Sequence, residues 1–217
     1  MIQPQCAKCK SKFCREGEGK AESLPEFCPM KNFGETIERT VPRYGQADVA
    51  QIYVPSTIGE KESYEQVRGV RMAVRPRIRE IAELAKKMNA KDVGVAFCSG
   101  LSDEAATAVE ILESHGLTIH SVCCKCGGID KTRYGVPAEC KISDPKKFEA
   151  ACNPIIQAEI LNNIKPVFNV IIGLCVGHDM LFTMASKAPV TTLIAKDRVT
   201  GHNPLASLYA GYVKRLT

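Results

Sequence analysis

From residue 76 onward, short apolar runs alternate with segments whose apolar residues recur at helical spacing, and this alternation restricts the fold more than any other feature. Runs at 93–97, 117–122, 167–174 and 190–195 read as buried strands. Between them, Ile78, Ile81, Ala82, Ala85 and Met88 share one helical face, and Ala105, Ala108, Val109 and Leu112 share another. Asn153-Pro154 and Asn203-Pro204 each put a capping residue before a first-turn proline, which predicts helix starts, the last helix reaching Arg215. Met180, Leu181, Phe182, Met184 and Ala185 predict a buried helix after Gly177. Strands alternating with helices imply a parallel sheet with right-handed crossovers. The expectation is an α/β fold: a small, doubly wound, Rossmann-like sheet of about four strands over 76–217.

The remaining third divides in two. Residues 35–75 predict a helical connection, with helices over 46–54 and 60–74 separated by Pro55 and Gly59. Residues 1–34 are rich in Cys, Lys, Gly and Glu and show little apolar periodicity, so a metal has to hold them together. Here Cys6, Cys9, Cys14 and Cys28 follow the spacing C-x2-C-x4-C-x13-C. The close pair lets two thiolates reach one ion from a tight turn, and the other two can close a tetrahedron, as structural zinc requires. An iron–sulfur cluster also takes four cysteines, and Cys28-Pro29 matches the Cys-Pro ending of ferredoxin runs, although the spacing does not. Zinc and iron–sulfur both stay open for this segment. Four cysteines in a plain loop would be the bland account.

A chain of 217 residues can bury a core without disulfides, so its eleven cysteines need another reason. The odd count argues against a full disulfide framework. No secretory signal opens the sequence, and nothing approaches the roughly 18 apolar residues of a membrane span. These features predict a cytoplasmic protein with reduced thiols. The net charge of +5 is modest. Its one basic cluster, Arg68, Arg71, Arg75, Arg77 and Arg79, has only Tyr64 near it and the chain has no Trp, which disfavours nucleic-acid binding.

Ligands of open α/β sheets bind outside the carboxyl ends of the strands. Cysteines stand at three of those ends: Cys98, Cys124 (after Cys123) and Cys175. Cys152 immediately precedes a helix start, where the dipole favours a thiolate. Any one of the four could be a small core hydrophobe; their shared topological position argues that together they bind a cofactor. An iron–sulfur cluster is the leading expectation and zinc the alternative. Cys126, with Gly127-Gly128, could replace one ligand, as could Cys123; Cys140 in the 125–152 insert is the weakest candidate. His178 could be a ligand, a proton shuttle or merely a helix-start residue, and Asp179 could act as acid or base beside it. Lys196 and Arg198, after the fourth strand, could bind an anion or balance cluster charge, or belong to a solvated loop. A metal-independent binder built on these two cations is a third reading. The Ser99-Gly100 turn could hold an anion. There is no G-x-G-x-x-G and no P-loop.

The segments C-A-K-C, F-C-S-G, C-C-K-C-G-G-I, C-N-P-I-I-Q-A-E-I-L-N, G-L-C-V-G-H-D and K-D-R-V-T-G-H-N-P cover nearly the whole chain. In them the sequence resembles an uncharacterised prokaryotic family of cysteine-rich, metal-binding proteins with a domain of unknown function. The resemblance implies metal binding through cysteine, with Cys98, Cys124, Cys152 and Cys175 inside its motifs. It implies no reaction. A redox or sulfur-handling activity, with a small molecule or a redox protein as partner, and a non-enzymatic zinc protein are both compatible with it.

Overall fold

The computed structural model describes residues 2–10, 13–15, 17, 23–212 and 215. The chain forms two compact units, 1–58 and 59–217. The division falls within α3, so each unit is taken by itself.

The first unit carries short 3-10 turns at Cys6–Lys8, Phe13–Arg15 and Val41–Gly45. Its α-helices are α1 (Pro29–Asn32), α2 (Gly34–Thr40) and most of α3 (Ala47–Glu62). Pro55 does not separate two helices, contrary to the sequence expectation; α3 runs through it. The hydroxyls of Ser56 and Thr57 bond back to the carbonyls of Ile52 and Tyr53 at 2.7 and 3.0 Å, on the turn that the proline perturbs. Among the described residues of this unit, only Leu24 is buried.

The second unit is mixed α/β. It opens with β1 (Tyr64–Val67) and β2 (Val70–Ala73), an antiparallel hairpin where the sequence predicted a helix. The cause is a two-residue turn: Arg68 and Gly69 both adopt positive φ, 51° and 79°, the conformation that matches strand twist in a tight hairpin. Three of the clustered arginines have partners inside the molecule. Arg71 stacks over Tyr64, Arg75 pairs with Glu62, and Arg77 donates to the Thr192 carbonyl and the Thr191 hydroxyl.

After the hairpin come α4 (Arg77–Lys87), β3 (Asp92–Phe97), α5 (Ser102–Ser114), β4 (Thr118–Cys123), the insert 125–152, α6 (Pro154–Ile164), β5 (Phe168–Ile172), α7 (His178–Ala185), β6 (Val190–Ile194) and α8 (Pro204–Tyr209). The four later strands form one parallel sheet in the order β4-β3-β5-β6. Every residue of β5 and the middle of β3 are buried, and both read as continuous apolar runs because parallel strands are covered on two faces. α4 packs against α5, and α6 against α7. The helix starts stand at Pro154 and Pro204, but neither Asn153 nor Asn203 caps with its side chain. Helix α7 buries only Phe182; Met180, Leu181 and Met184 are exposed, against the expectation of a buried helix. Helix α8 ends at Tyr209, short of Arg215; residues 213 and 214, over which the last helix was expected to run, lie outside the described residues. No helix of the described residues is long and apolar enough to cross a membrane.

The centre of the sheet tolerates no added volume. Gly94 of β3 lies opposite the fully buried Asn169 of β5, whose amide donates to the Ser186 hydroxyl at 2.9 Å. A Cβ on Gly94 would stand 1.8 Å from Asn169 Oδ1 and 3.2 Å from Leu161 Cδ1. Gly94→Ala is therefore expected to lower stability by about 1–3 kcal/mol, the range for overpacking. Urea unfolding measures this directly, and an unchanged midpoint would contradict the β3–β5 register.

Candidate functional site

The order β4-β3-β5-β6 reverses direction between β3 and β5, and the crevice of such a sheet opens outside the carboxyl ends of those strands. Backbone bonds continue past the strand ends and set the local order of the chain. The Asn153 amide donates to the Cys124 carbonyl at 2.7 Å, Cys124 to Phe97 at 2.9 Å, Cys98 to Ile172 at 3.0 Å and Gly173 to Ile194 at 2.8 Å. The end of the insert thus lies beside β4, then β3, β5 and β6 follow.

The sulfurs repeat that order. The Cys124 thiol lies near enough to those of Cys152 and Cys98 to lower the pKa of both. A lysine stands at each end of this row. Lys125 Nζ donates to Cys152 Sγ at 3.4 Å and Lys196 Nζ to Cys98 Sγ at 2.6 Å. The Ser99 amide donates to Cys124 Sγ at 3.3 Å. Cys98 and Cys124 are buried and Cys152 is half-buried. Cys175 also follows a strand at this edge, but its sulfur pairs with Arg198 Nη2 at 3.2 Å instead of joining the row.

The electrostatics follow from these contacts. Hydrogen bonding from Cys124 brings the Cys152 thiol down to about 5, against the opposing effect of burial and with the help of Lys125 and the charge of His178. Cys124 moves the other way: holding its proton toward Cys152, and burial, push its pKa up. Burial raises Cys98, but the Lys196 ammonium, the Gly100 amide and Cys124 outweigh it, so Cys98 sits below the ordinary thiol value.

His178 begins α7, and its buried Nδ1 lacks a hydrogen-bond partner. Asp179 Oδ1 accepts from the Met180 amide at 2.8 Å, a helix-start contact. The other cysteines stand outside the row: Cys123 ends β4, Cys126 is half-buried in the following turn, and Cys140 is exposed. Among the described residues, no three His, Cys, Asp or Glu side chains stand ready-made around one point as metal ligands.

Three residues essential to this geometry escaped the sequence reading. Gln157, fully buried on α6, donates to the carbonyls of Phe97 and Val122 at 3.2 and 2.7 Å, and so clamps the ends of β3 and β4 beside Cys98 and Cys124. Its signal was available: Gln157 occupies the buried stripe with Pro154, Ala158 and Leu161. Asp130 and Glu149 organise the insert. Asp130 accepts from Thr132, Lys141 and the Glu149 amide, and Glu149 accepts from Lys131 and Ser143. The Ala151 amide then bonds Ile129 at 2.7 Å, which brings the insert back so that Cys152 meets Cys124. Of the five buried unpartnered polar atoms among the described residues, three belong to Asn153, Gln157 and His178 around this edge; such groups concentrate at functional sites.

Fold and edge together define a mixed α/β protein with a thiol row at the carboxyl end of a parallel sheet. The chain belongs to the family described as protein of unknown function (DUF1847), whose profile matches residues 28–193. It is also similar to the uncharacterised protein MJ0455 of Methanocaldococcus jannaschii, at 38% identity over 208 residues covering 96% of this chain and 95% of that protein. No solved structure matches.

The shared proton gives a measurable outcome. In metal-free protein, alkylation of Cys152 by iodoacetamide, followed by peptide mass spectrometry, should rise with pH through a midpoint near 5. Cys124→Ala removes the main donor and should move the midpoint upward, so the rate at pH near 5 falls about fivefold for the first unit of movement and close to tenfold for each further unit. A midpoint that stays in place would exclude Cys124 as the donor.

Proposed function

We propose that this is a Rossmann-like, cytoplasmic iron–sulfur protein whose cluster is held at the sheet edge by Cys98, Cys124 and Cys152, with Cys175 as the fourth ligand. The observation that carries the reading is the row of three neighbouring thiols with a lysine at each end. Right-handed crossovers would put α5 on one face of the sheet and α6 and α7 on the other, consistent with the pairing of α4 with α5 and α6 with α7. That is the doubly wound arrangement, in which the switch-point crevice is the usual ligand site.

The donor set fits such a group. Clusters are held by cysteine thiolates, and hydrogen bonds to the sulfurs and nearby charge tune their potential. Here the Ser99 and Gly100 amides, Lys125, Lys196 and Arg198 already donate to, or stand against, the ligand sulfurs. With all four cysteines as ligands a cluster would supply electron transfer; with Cys175 kept by Arg198 instead, three ligands would leave one iron open to polarise a bound sulfur or oxygen atom. This suits a redox or sulfur-handling activity with a redox protein or a small molecule as partner. His178, with its unpartnered Nδ1, is the side chain suited to hold or pass a proton beside Cys152. Asp179 serves the start of α7 first, and its part as acid or base is secondary. The nearness of three thiols favours a second reading, a single zinc ion in place of the cluster, because one tetrahedral ion needs its sulfurs close together.

Anaerobic purification decides between them. The expected result is iron and acid-labile sulfide in equal amounts, both lost in Cys124→Ala and both retained in Cys140→Ala. Zinc without sulfide, lost in Cys124→Ala, would replace the cluster with the zinc reading. Metal content indifferent to Cys124 would remove the edge site altogether.

A further inference from the structure

We propose that Cys6, Cys9, Cys14 and Cys28 bind one zinc ion in a closed site, and that this ion takes the place of a hydrophobic core in the unit 1–58. The proposal is independent of the sheet-edge reading and uses none of its residues. Three of the four cysteines precede the segment that the family profile matches.

The four cysteines line a single cavity of about 80 Å³. Its other walls are Phe13, Leu24, Pro25, Phe27 and Pro29. Local geometry delivers each thiol. The Cys9 amide closes a turn on the Cys6 carbonyl at 3.1 Å, which keeps the close pair together. Cys14 sits in the turn Phe13–Arg15. Cys28 precedes α1, with its amide on the Pro25 carbonyl at 2.8 Å.

The second observation is energetic. Burial of apolar surface is what ordinarily offsets the entropy of ordering a chain. Among the described residues of this unit, only Leu24 is buried, and Leu24 is itself a wall of the cysteine cavity. The one buried side chain among the described residues of this unit therefore lines the same pocket as its four cysteines. Thiolate–metal bonds supply the missing cohesion in such small units, because metal-binding free energy becomes folding free energy.

Zinc suits that role, because it is redox-inert and takes four thiolates at about 2.3 Å in a closed tetrahedral shell. Four protein sulfurs around one zinc leave no position for substrate, so the role is structural.

The test uses the full chain, purified anaerobically, with zinc, iron and sulfide measured in the wild type, in Cys6→Ser/Cys9→Ser and in Cys9→His. The expected results are one zinc per chain lost from the double serine variant and retained in Cys9→His, since imidazole also ligates zinc. Trypsin should then cut within 1–58 faster in the serine variant, with iron and sulfide unchanged. Equal zinc in wild type and serine variant would overturn the proposal. So would loss of iron and sulfide instead of zinc, which would make the site a cluster. If the serine variant is insoluble, Cys9→His decides alone: soluble protein with its zinc supports the proposal, and soluble protein without zinc refutes it.

Discussion

The buried amide of Gln157 holds the sheet edge in register. One side chain donates to carbonyls at the ends of two adjacent strands, Phe97 of β3 and Val122 of β4. The Phe97 carbonyl also accepts from the Cys124 amide at 2.9 Å, so the glutamine ties α6 to an edge that the backbone has already closed. Because the glutamine stands on α6, one turn after Asn153, the bond also fixes where α6 begins. Asn153 then spends its side chain on the Cys126 carbonyl at 2.7 Å rather than on its own helix, and its backbone amide on Cys124. The row of thiols is a consequence: each sulfur hangs from a backbone position that these bonds set.

The row also balances its charge locally. A thiolate in a partly buried place needs a cation or donors close by, or it takes up a proton instead. Lys125 answers Cys152 at one end and Lys196 answers Cys98 at the other, while Cys124 in the middle keeps its proton and donates it. Lys125 is itself steered by the Ala150 carbonyl at 2.6 Å, so the insert that brings Cys152 also aims its counter-ion. The ion network of Asp130, Lys141, Glu149 and Lys131 therefore serves the edge at a distance, by making a long insert adopt one path.

Much of the second unit was legible in the sequence, because parallel strands buried on both faces read as unbroken apolar runs and their helices keep a 3.6-residue period. The strand ends followed, and with them Cys98 and Cys124 and the position of Lys196. The hairpin was not legible: its strands are exposed, so no alternation marks them, and the signal reduces to Arg68-Gly69. Pro55 misled for a different reason, since a proline inside an exposed helix weakens it without always ending it. Burial of α7 was overestimated because five apolar residues in a row of eight do not say how many faces are covered. Gln157, Asp130 and Glu149 act through backbone carbonyls and amides far along the chain, and no local pattern announces such partners.

The two units keep their shape by different means, and the cysteines reflect it. In 59–217 the interior is Val93, Val95, Leu101, Leu112, Leu161, Val170, Ile172 and Phe182, all essentially inaccessible to water. That core would stand without any metal, which leaves its edge thiols free to be arranged for chemistry, with polar groups unpaired and a thiol driven toward its anion. In 1–58 the described residues have no comparable interior, and α2 and α3 bury no side chain. Chemistry at such a place would be poorly positioned, since reactive groups need a rigid surround. The same residue type therefore suits two opposite purposes: cohesion where apolar surface is scarce, and reactivity where a packed sheet can hold sulfur in place.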